Sequence, residues 1–200
     1  MKSTKAEQHG RVRIIGGLWK RRIIRFRGSS ELRPTPDSVR ETLFNWLAAS
    51  VQGATCADLF AGSGALGIEA ASRGAARVVL VESQQRTWRQ LKEIITTLQA
   101  EHIVAEYHDA LDWLSQCTLK LDLVFIDPPY GSGLLDRAMH RLIRSKCLKP
   151  GAQIYIEYRL DEKPQIPATW ILRKQKTTGQ VRYGLYQADE ALALTSADPL

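Results

Sequence analysis

Asp58-Leu59-Phe60-Ala61-Gly62-Ser63-Gly64-Ala65-Leu66-Gly67 compresses a strand end, a glycine loop and a helix start into one stretch. Apolar Ala57, Leu59 and Phe60 surround Asp58, three glycines stand at G-x-G-x-x-G spacing, and Ile68-Glu69-Ala70-Ala71 continues as helix. Glycines at that spacing allow a tight turn and a close approach of backbone to a nucleotide-like ligand. A second apolar run, Arg77-Val78-Val79-Leu80-Val81, ends in Glu82, a carboxylate placed to take both hydroxyls of a ribose. The loop alone is compatible with a dinucleotide dehydrogenase, with an S-adenosyl-L-methionine (AdoMet) enzyme, or with a glycine-rich turn that holds nothing.

Outward from this loop, strands and helices alternate. Strands are predicted near 56–60, 77–81, 103–107, 121–126 and 152–158, and helices near 64–73, 84–100, 110–116 and 134–145. That alternation predicts an α/β fold with a mostly parallel, doubly wound, Rossmann-like sheet. Two last strands, near 169–175 and 180–187 with Gly179 at their turn, add an antiparallel hairpin at one edge. Ligands of such sheets bind beyond the carboxyl ends of the strands. Asp58, Glu82, Asp109 and Asp127 each close a strand and should share one rim; the competing role for Asp109 is to cap the helix that follows it.

Asp127-Pro128-Pro129-Tyr130 follows the buried run Leu121 to Ile126. The two prolines remove two backbone donors and fix φ, leaving the nearby carbonyls free to accept. Asp127 adds a charged acceptor and Tyr130 a face for stacking. The tetrapeptide resembles the D-P-P-Y signature of AdoMet enzymes that methylate exocyclic amines of nucleobases, and a dehydrogenase has no use for it two strands beyond the glycine loop. The competing reading is an ordinary Pro-Pro turn after a strand.

Composition bounds the rest. Two hundred residues with 44% hydrophobic and 24% charged side chains describe a globular chain able to bury a sizeable core. No apolar run approaches the ~20 residues of a membrane helix, and no secretory segment is visible. Cys56, Cys117 and Cys147 are scattered, which predicts a reducing, cytoplasmic compartment and no zinc site. His9, His102, His108 and His140 form no ligand pattern, so no metal is expected.

The net charge is +7, yet the first forty residues hold eleven of the 28 basic and three of the 21 acidic groups, leaving a near-neutral remainder. A cationic arm on a neutral body is the footprint of phosphate binding. The arm also carries Val12, Ile14, Ile15, Trp19, Ile23, Ile24 and Phe26, which a solubilising tail does not need. Arg11 to Ile15, a Gly16-Gly17 turn and Leu18 to Phe26 read as a β-hairpin. A helix is expected to start near Thr35, with Pro36 at its first position. The division expected is a basic RNA-binding arm and hairpin over 1–34, a transferase domain over 35–188 and a loose tail over 189–200.

The resemblance extends nearly end to end. Arg11-Val12-Arg13-Ile14-Ile15-Gly16-Gly17 with Trp19, Leu32-Arg33-Pro34-Thr35, Ser38 to Leu47, Asp58 to Gly67, Asp127 to Tyr130 and Gly179-Gln180-Val181-Arg182-Tyr183 resemble the bacterial ribosomal RNA small subunit methyltransferase D family. The resemblance implies a class I methyltransferase core with an N-terminal hairpin extension, and methylation of the N2 amine of a guanine in 16S ribosomal RNA by a monomer acting on a 30S particle or an assembly intermediate. It places AdoMet over Asp58, Phe60, Ala61, Gly62, Ser63 and Gly64, its ribose on Glu82, and its adenine against His108, Asp109 and Ala110. Thr35, Arg40 and Thr42 would close over the methionine end, with Arg40 on the AdoMet carboxylate; from pattern alone Arg40 is equally a solvent-facing helix residue. Asp127, Pro128, Pro129 and Tyr130 would be catalytic, and Arg11, Arg13, Lys20, Arg21, Arg22 and Arg33 would meet RNA. The remaining alternatives are an adenine-N6 methyltransferase, a non-catalytic RNA-binding assembly factor and a nicotinamide dehydrogenase.

Overall fold

A computed structural model describes residues 8–28 and 35–189. Seven strands form one sheet in the order β5-β4-β3-β6-β7-β9-β8. They are β3 (Thr55–Asp58), β4 (Arg77–Glu82), β5 (Ile103–Tyr107), β6 (Leu121–Ile126), β7 (Leu148–Arg159), β8 (Trp170–Thr178) and β9 (Val181–Ala188). The first five run parallel, and β9 enters antiparallel between β7 and β8. The helices are α1 (Asp37–Trp46), α2 (Ala65–Ser72), α3 (Gln85–Leu98), α4 (Ala110–Gln116) and α5 (Leu134–Ser145). The α/β class and the parallel sheet with its antiparallel C-terminal hairpin thus match the expectation.

Central strands read as unbroken apolar runs because both faces of the sheet are covered. On β4, Val78 and Leu80 pack with α1, α2 and α3, while Val79 and Val81 pack with α4 and α5. Gly67 lets α2 lie close on the sheet, since a Cβ there would stand 2.2 Å from Leu80 Cδ2. Helix α1 begins at Asp37, with Pro36 as its N-cap.

The N-terminal hairpin departs from its expected form. Its strands are β1 (Gln8–Arg13) and β2 (Ile23–Gly28), paired antiparallel from Gln8↔Gly28 to Arg13↔Ile23. Residues 14–22 are not strand; they fold back onto the end of α2. Leu18 N donates to Ser72 O (2.6 Å), Trp19 N to Ser72 Oγ (3.0 Å), and Ser72 Oγ to Gly16 O (2.6 Å). Gly17 takes φ +76°, and a Cβ there would lie 1.7 Å from Ser72 O. The Gly-Gly pair therefore serves docking rather than a tight two-residue turn. Val12, Ile14, Trp19, Ile24 and Phe26 are buried in the same core as α1 and α2. Arg11, Lys20, Arg21 and Arg22 remain exposed. Arg33 and the segment 190–200 lie outside the described residues. Among the described residues no helix is long and apolar enough to cross a membrane.

Candidate active site

At the carboxyl ends of β3, β4 and β6 lies a cavity of about 660 Å³, within the range of small-ligand sites. Asp58, Glu82, Asp109 and Asp127 all line it, so the four strand-end acids do share one rim. So do Phe60, Ala61, Gly62, Ser63, Ala110, Thr35, Pro128, Pro129 and Tyr130. Gly64 sits one step back, at φ +77° as the N-cap of α2. His108 and Thr42 are not among the lining residues.

The loop is held by the acids that close its strands. Asp58 Oδ2 accepts from Gly67 N at 3.0 Å, bridging strand and helix across the turn. Glu82 accepts from Gly62 N (3.0 Å) through one oxygen and from Gln84 N (2.6 Å) through the other. Each of those oxygens keeps a second lone pair for a diol. Asp109 caps α4, accepting from Leu111 N (2.8 Å) and Asp112 N (3.3 Å). The capping role is therefore present, and Asp109 still lines the cavity.

Asp127 is held by Thr35, whose Oγ1 donates to its Oδ2 at 3.2 Å. A residue the sequence reading passed over completes this corner. Glu157, on β7 and only 5% exposed, accepts from Tyr130 Oη (2.5 Å) and from Tyr155 Oη (2.7 Å). The pairing Ile126↔Ile156 brings it beside Asp127. Tyr130 stays 45% exposed and is anchored at its hydroxyl, so its ring forms a fixed wall. That register, which no local pattern shows, was the signal that could have found Glu157.

Burial dominates the electrostatics. It pushes Asp58 up to about 7, against the hydrogen bond from Gly67 and with the help of nearby Glu82. Burial, then Glu157 and Asp58, hold Asp127 well above the usual carboxylate range, opposed by the Thr35 hydroxyl. Glu82 is raised chiefly by burial. Carboxyl groups crowded on one rim suit a cationic ligand, and the sulfonium and α-ammonium groups of AdoMet are cationic. The diol-ready Glu82 and the glycine approach fit the same ligand.

Arg40 is not where the resemblance put it, nor does it face solvent. It is 1% exposed and does not line the cavity. Its Nε donates to Thr35 O (3.1 Å) and its terminal nitrogens to Arg13 O (2.9 Å), Asp37 Oδ1 (2.5 Å) and Glu69 Oε2 (3.4 Å). Buried Glu69 in turn accepts from Ile15 N and Gly16 N, each at 2.8 Å. The pair fastens the hairpin to α1 and α2 because the hairpin lies over the helix face that carries Arg40.

The chain is similar to known proteins along nearly its whole length. The family model described as Conserved hypothetical protein 95 matches residues 12–187. The ribosomal RNA small subunit methyltransferase D of Escherichia coli K12 is 42% identical over 199 residues, covering 99% of this chain and all of the relative. The chain belongs to the ribosomal RNA small subunit methyltransferase D family. The Haemophilus influenzae member is 44% identical over 182 residues, spanning 89% of this chain and 94% of that one. The solved structure of the Escherichia coli yhhF protein superposes with a TM-score of 0.83 at 41% identity, over 90% of this chain and 99% of that one.

Proposed function

We propose that the protein transfers the methyl group of AdoMet to the exocyclic N2 amine of a guanine in 16S ribosomal RNA of the bacterial small subunit. The observation that carries this reading is the convergence of Asp127-Pro128-Pro129-Tyr130 with the glycine loop and Glu82 on one cavity.

Bound AdoMet supplies a methyl group already activated on a sulfonium. Gly62 and Ser63 would bring backbone against its nucleoside and Glu82 would take its ribose hydroxyls; Asp109 and Ala110 would line the adenine end, and Thr35 would cover the methionine end. Guanine N2 is a poor nucleophile because its lone pair is delocalised into the ring. Asp127 and a carbonyl near Pro128 accept its two N–H groups and draw the nitrogen toward tetrahedral geometry, with the lone pair aimed at the methyl carbon. On transfer of the methyl group from sulfur to nitrogen, which would leave S-adenosylhomocysteine, Asp127 would stabilise the positive charge on nitrogen, whose surplus proton would pass to Asp127 or water. Tyr130, held by Glu157, stacks on the extruded base. Positioning supplies much of the acceleration.

RNA reaches this rim from the hairpin. Arg11, Lys20, Arg21 and Arg22 offer exposed charge, and Arg13 supports the surface through its pair with Asp37 at 3.1 Å. In this reading the hairpin is the RNA-binding extension of the transferase domain, and the substrate is 16S RNA within a 30S particle or assembly intermediate. Methyl transfer from labelled AdoMet to 16S RNA, naked and as 30S particles, followed by nucleoside mass spectrometry, tests it. N2-methylguanosine is the expected product; N6-methyladenosine would replace the reading with its nearest rival, and no transfer at all would leave the assembly-factor alternative.

A further inference from the structure

Guanine, adenine and cytosine each present an exocyclic amine next to a ring nitrogen on the Watson–Crick edge, and only in guanine does that ring nitrogen carry a proton. Guanine places the donor N1–H beside its N2 amine, whereas adenine places the bare acceptor N1 beside its N6 amine. A pocket built only to hold an amine does not distinguish them. A pocket with a second fixed acceptor beside the first does.

That second acceptor is present. Glu157 lies where the 660 Å³ cavity meets a smaller one of about 220 Å³ behind Tyr130, and it lines both, together with Pro128, Pro129 and Tyr130. It is 5% exposed, and both its oxygens are fixed by tyrosine hydroxyls, Oε1 by Tyr130 and Oε2 by Tyr155. Two donors on one carboxylate hold it in a single orientation, and each oxygen keeps a lone pair. Asp127 stands beside it through the Ile126↔Ile156 pairing. Two carboxylates at the end of adjacent parallel strands match two adjacent donors and repel a donor–acceptor pair.

We propose that Glu157 selects guanine: its carboxylate accepts the N1–H of the extruded base while Asp127 accepts from the N2 amine. This rests on the guanine-N2 reading above and names the residue that makes the base choice. Tyr155 and Tyr130 are the supports that hold the selector still.

The test replaces one ring proton. 16S RNA carrying 2-aminopurine at the methylated position keeps the N2 amine but turns N1 into an acceptor. Wild-type enzyme should favour guanine over 2-aminopurine by about 10- to 100-fold in kcat/KM, the scale of one well-made base contact. Glu157→Gln, whose amide can donate to N1 while still accepting from Tyr155, should bring that ratio to within about threefold. The loss of O6 in 2-aminopurine is common to both enzymes and cancels in the comparison of ratios. Tyr130→Phe, which removes the hydroxyl and keeps the ring, leaves Glu157 held by Tyr155 alone; it should lower turnover on both bases and narrow the preference less than Glu157→Gln does. Binding of S-adenosylhomocysteine by calorimetry reports folding of each variant. Equal losses on both bases in Glu157→Gln, or a larger collapse of preference in Tyr130→Phe than in Glu157→Gln, would reduce Glu157 to a prop for the stacking wall and overturn the proposal. Wild-type kcat/KM equal on the two bases overturns it without any variant. A wild-type enzyme that methylates no guanine at all would instead sink the transfer reading itself, an outcome distinct from the other three.

Discussion

Replacing Arg40 by Met separates two roles that predict opposite measurements. If Arg40 held the AdoMet carboxylate, its loss would remove a charged hydrogen bond worth about 1.5–3 kcal/mol, or a roughly 10- to 150-fold rise in Kd. The structure assigns it elsewhere. Its hydrogen-bond partners are protein groups, namely Thr35 O, Arg13 O, Asp37 and Glu69, and the guanidinium is sealed from the cavity. Breaking a buried pair from one side costs about 3–5 kcal/mol. Glu69 retains Ile15 N, Gly16 N and Arg73 Nε (2.7 Å), so the lower end of that range applies. At about 2–4 °C per kcal/mol for a chain of this size, the melting temperature should fall by roughly 6–12 °C. AdoMet affinity at a temperature where the variant is folded should stay within about threefold of wild type. Hydrogen exchange should show faster opening first at residues 12–16, where the hairpin is fastened. Differential scanning calorimetry and isothermal titration on the same preparation decide the matter. A weakened Kd of tenfold or more with a melting temperature within ~2 °C of wild type would refute the assignment and restore the carboxylate role.

Asp127→Ala should lower kcat by ~10²-fold or more, the scale for deleting one well-placed electrostatic group, with AdoMet binding by calorimetry little changed; turnover within a few-fold of wild type would remove Asp127 from the amine. Asp58 rises from 3.8 to about 7 on folding, so its neutral form stabilises the protein. That contribution is fully present below about pH 4 and is lost as pH rises through about 7, amounting to at most about 4 kcal/mol. Without ligand, wild type should therefore lose stability relative to Asp58→Asn between pH 5 and pH 8 in urea titrations, and parallel profiles would show that Asp58 ionises normally. Neutralising Arg11, Arg13, Arg21 and Arg22 together should weaken RNA binding and flatten its log–log salt slope by about 0.7 to 0.9 per lost phosphate contact, with AdoMet affinity as the folding control. An unchanged slope would make the arm a solubility device.

The elements that were legible in the sequence are those whose signal is local. Strands β4 and β6 announce themselves as apolar runs, the short β3 by the glycine loop that follows it, and the chemistry at each end follows within a residue or two. Asp58, Glu82, Asp109 and Asp127 could therefore be assigned to one rim before any contact was known, and the cavity holds all four. What stayed hidden depends on which elements become neighbours. Glu157 sits in Ile154-Tyr155-Ile156-Glu157-Tyr158 as one polar residue near a strand end, and nothing local marks it. It matters because β7 pairs with β6 in a register that sets it beside Asp127. Arg40 looked available because a helix arginine between Val39 and Leu43 says nothing about a hairpin folding over it. Net charge hides a second basic stretch for a related reason. Residues 41–200 sum to near neutrality, yet β8 and β9 carry Arg173, Lys174, Lys176 and Arg182 with no acid between Trp170 and Ala188. Every residue from Ile171 to Gln180 is exposed. Arg173, Lys174 and Lys176 on the exposed edge strand β8 oppose edge-to-edge pairing, so most of this local excess has a cause in the sheet itself. The hairpin β1–β2 differs, because its apolar side is already buried in the core and its basic residues guard no exposed sheet edge of the main fold. For that reason the arm, not the edge strand, carries the charge that the fold alone does not require, and it is where the proposed RNA contacts are to be sought.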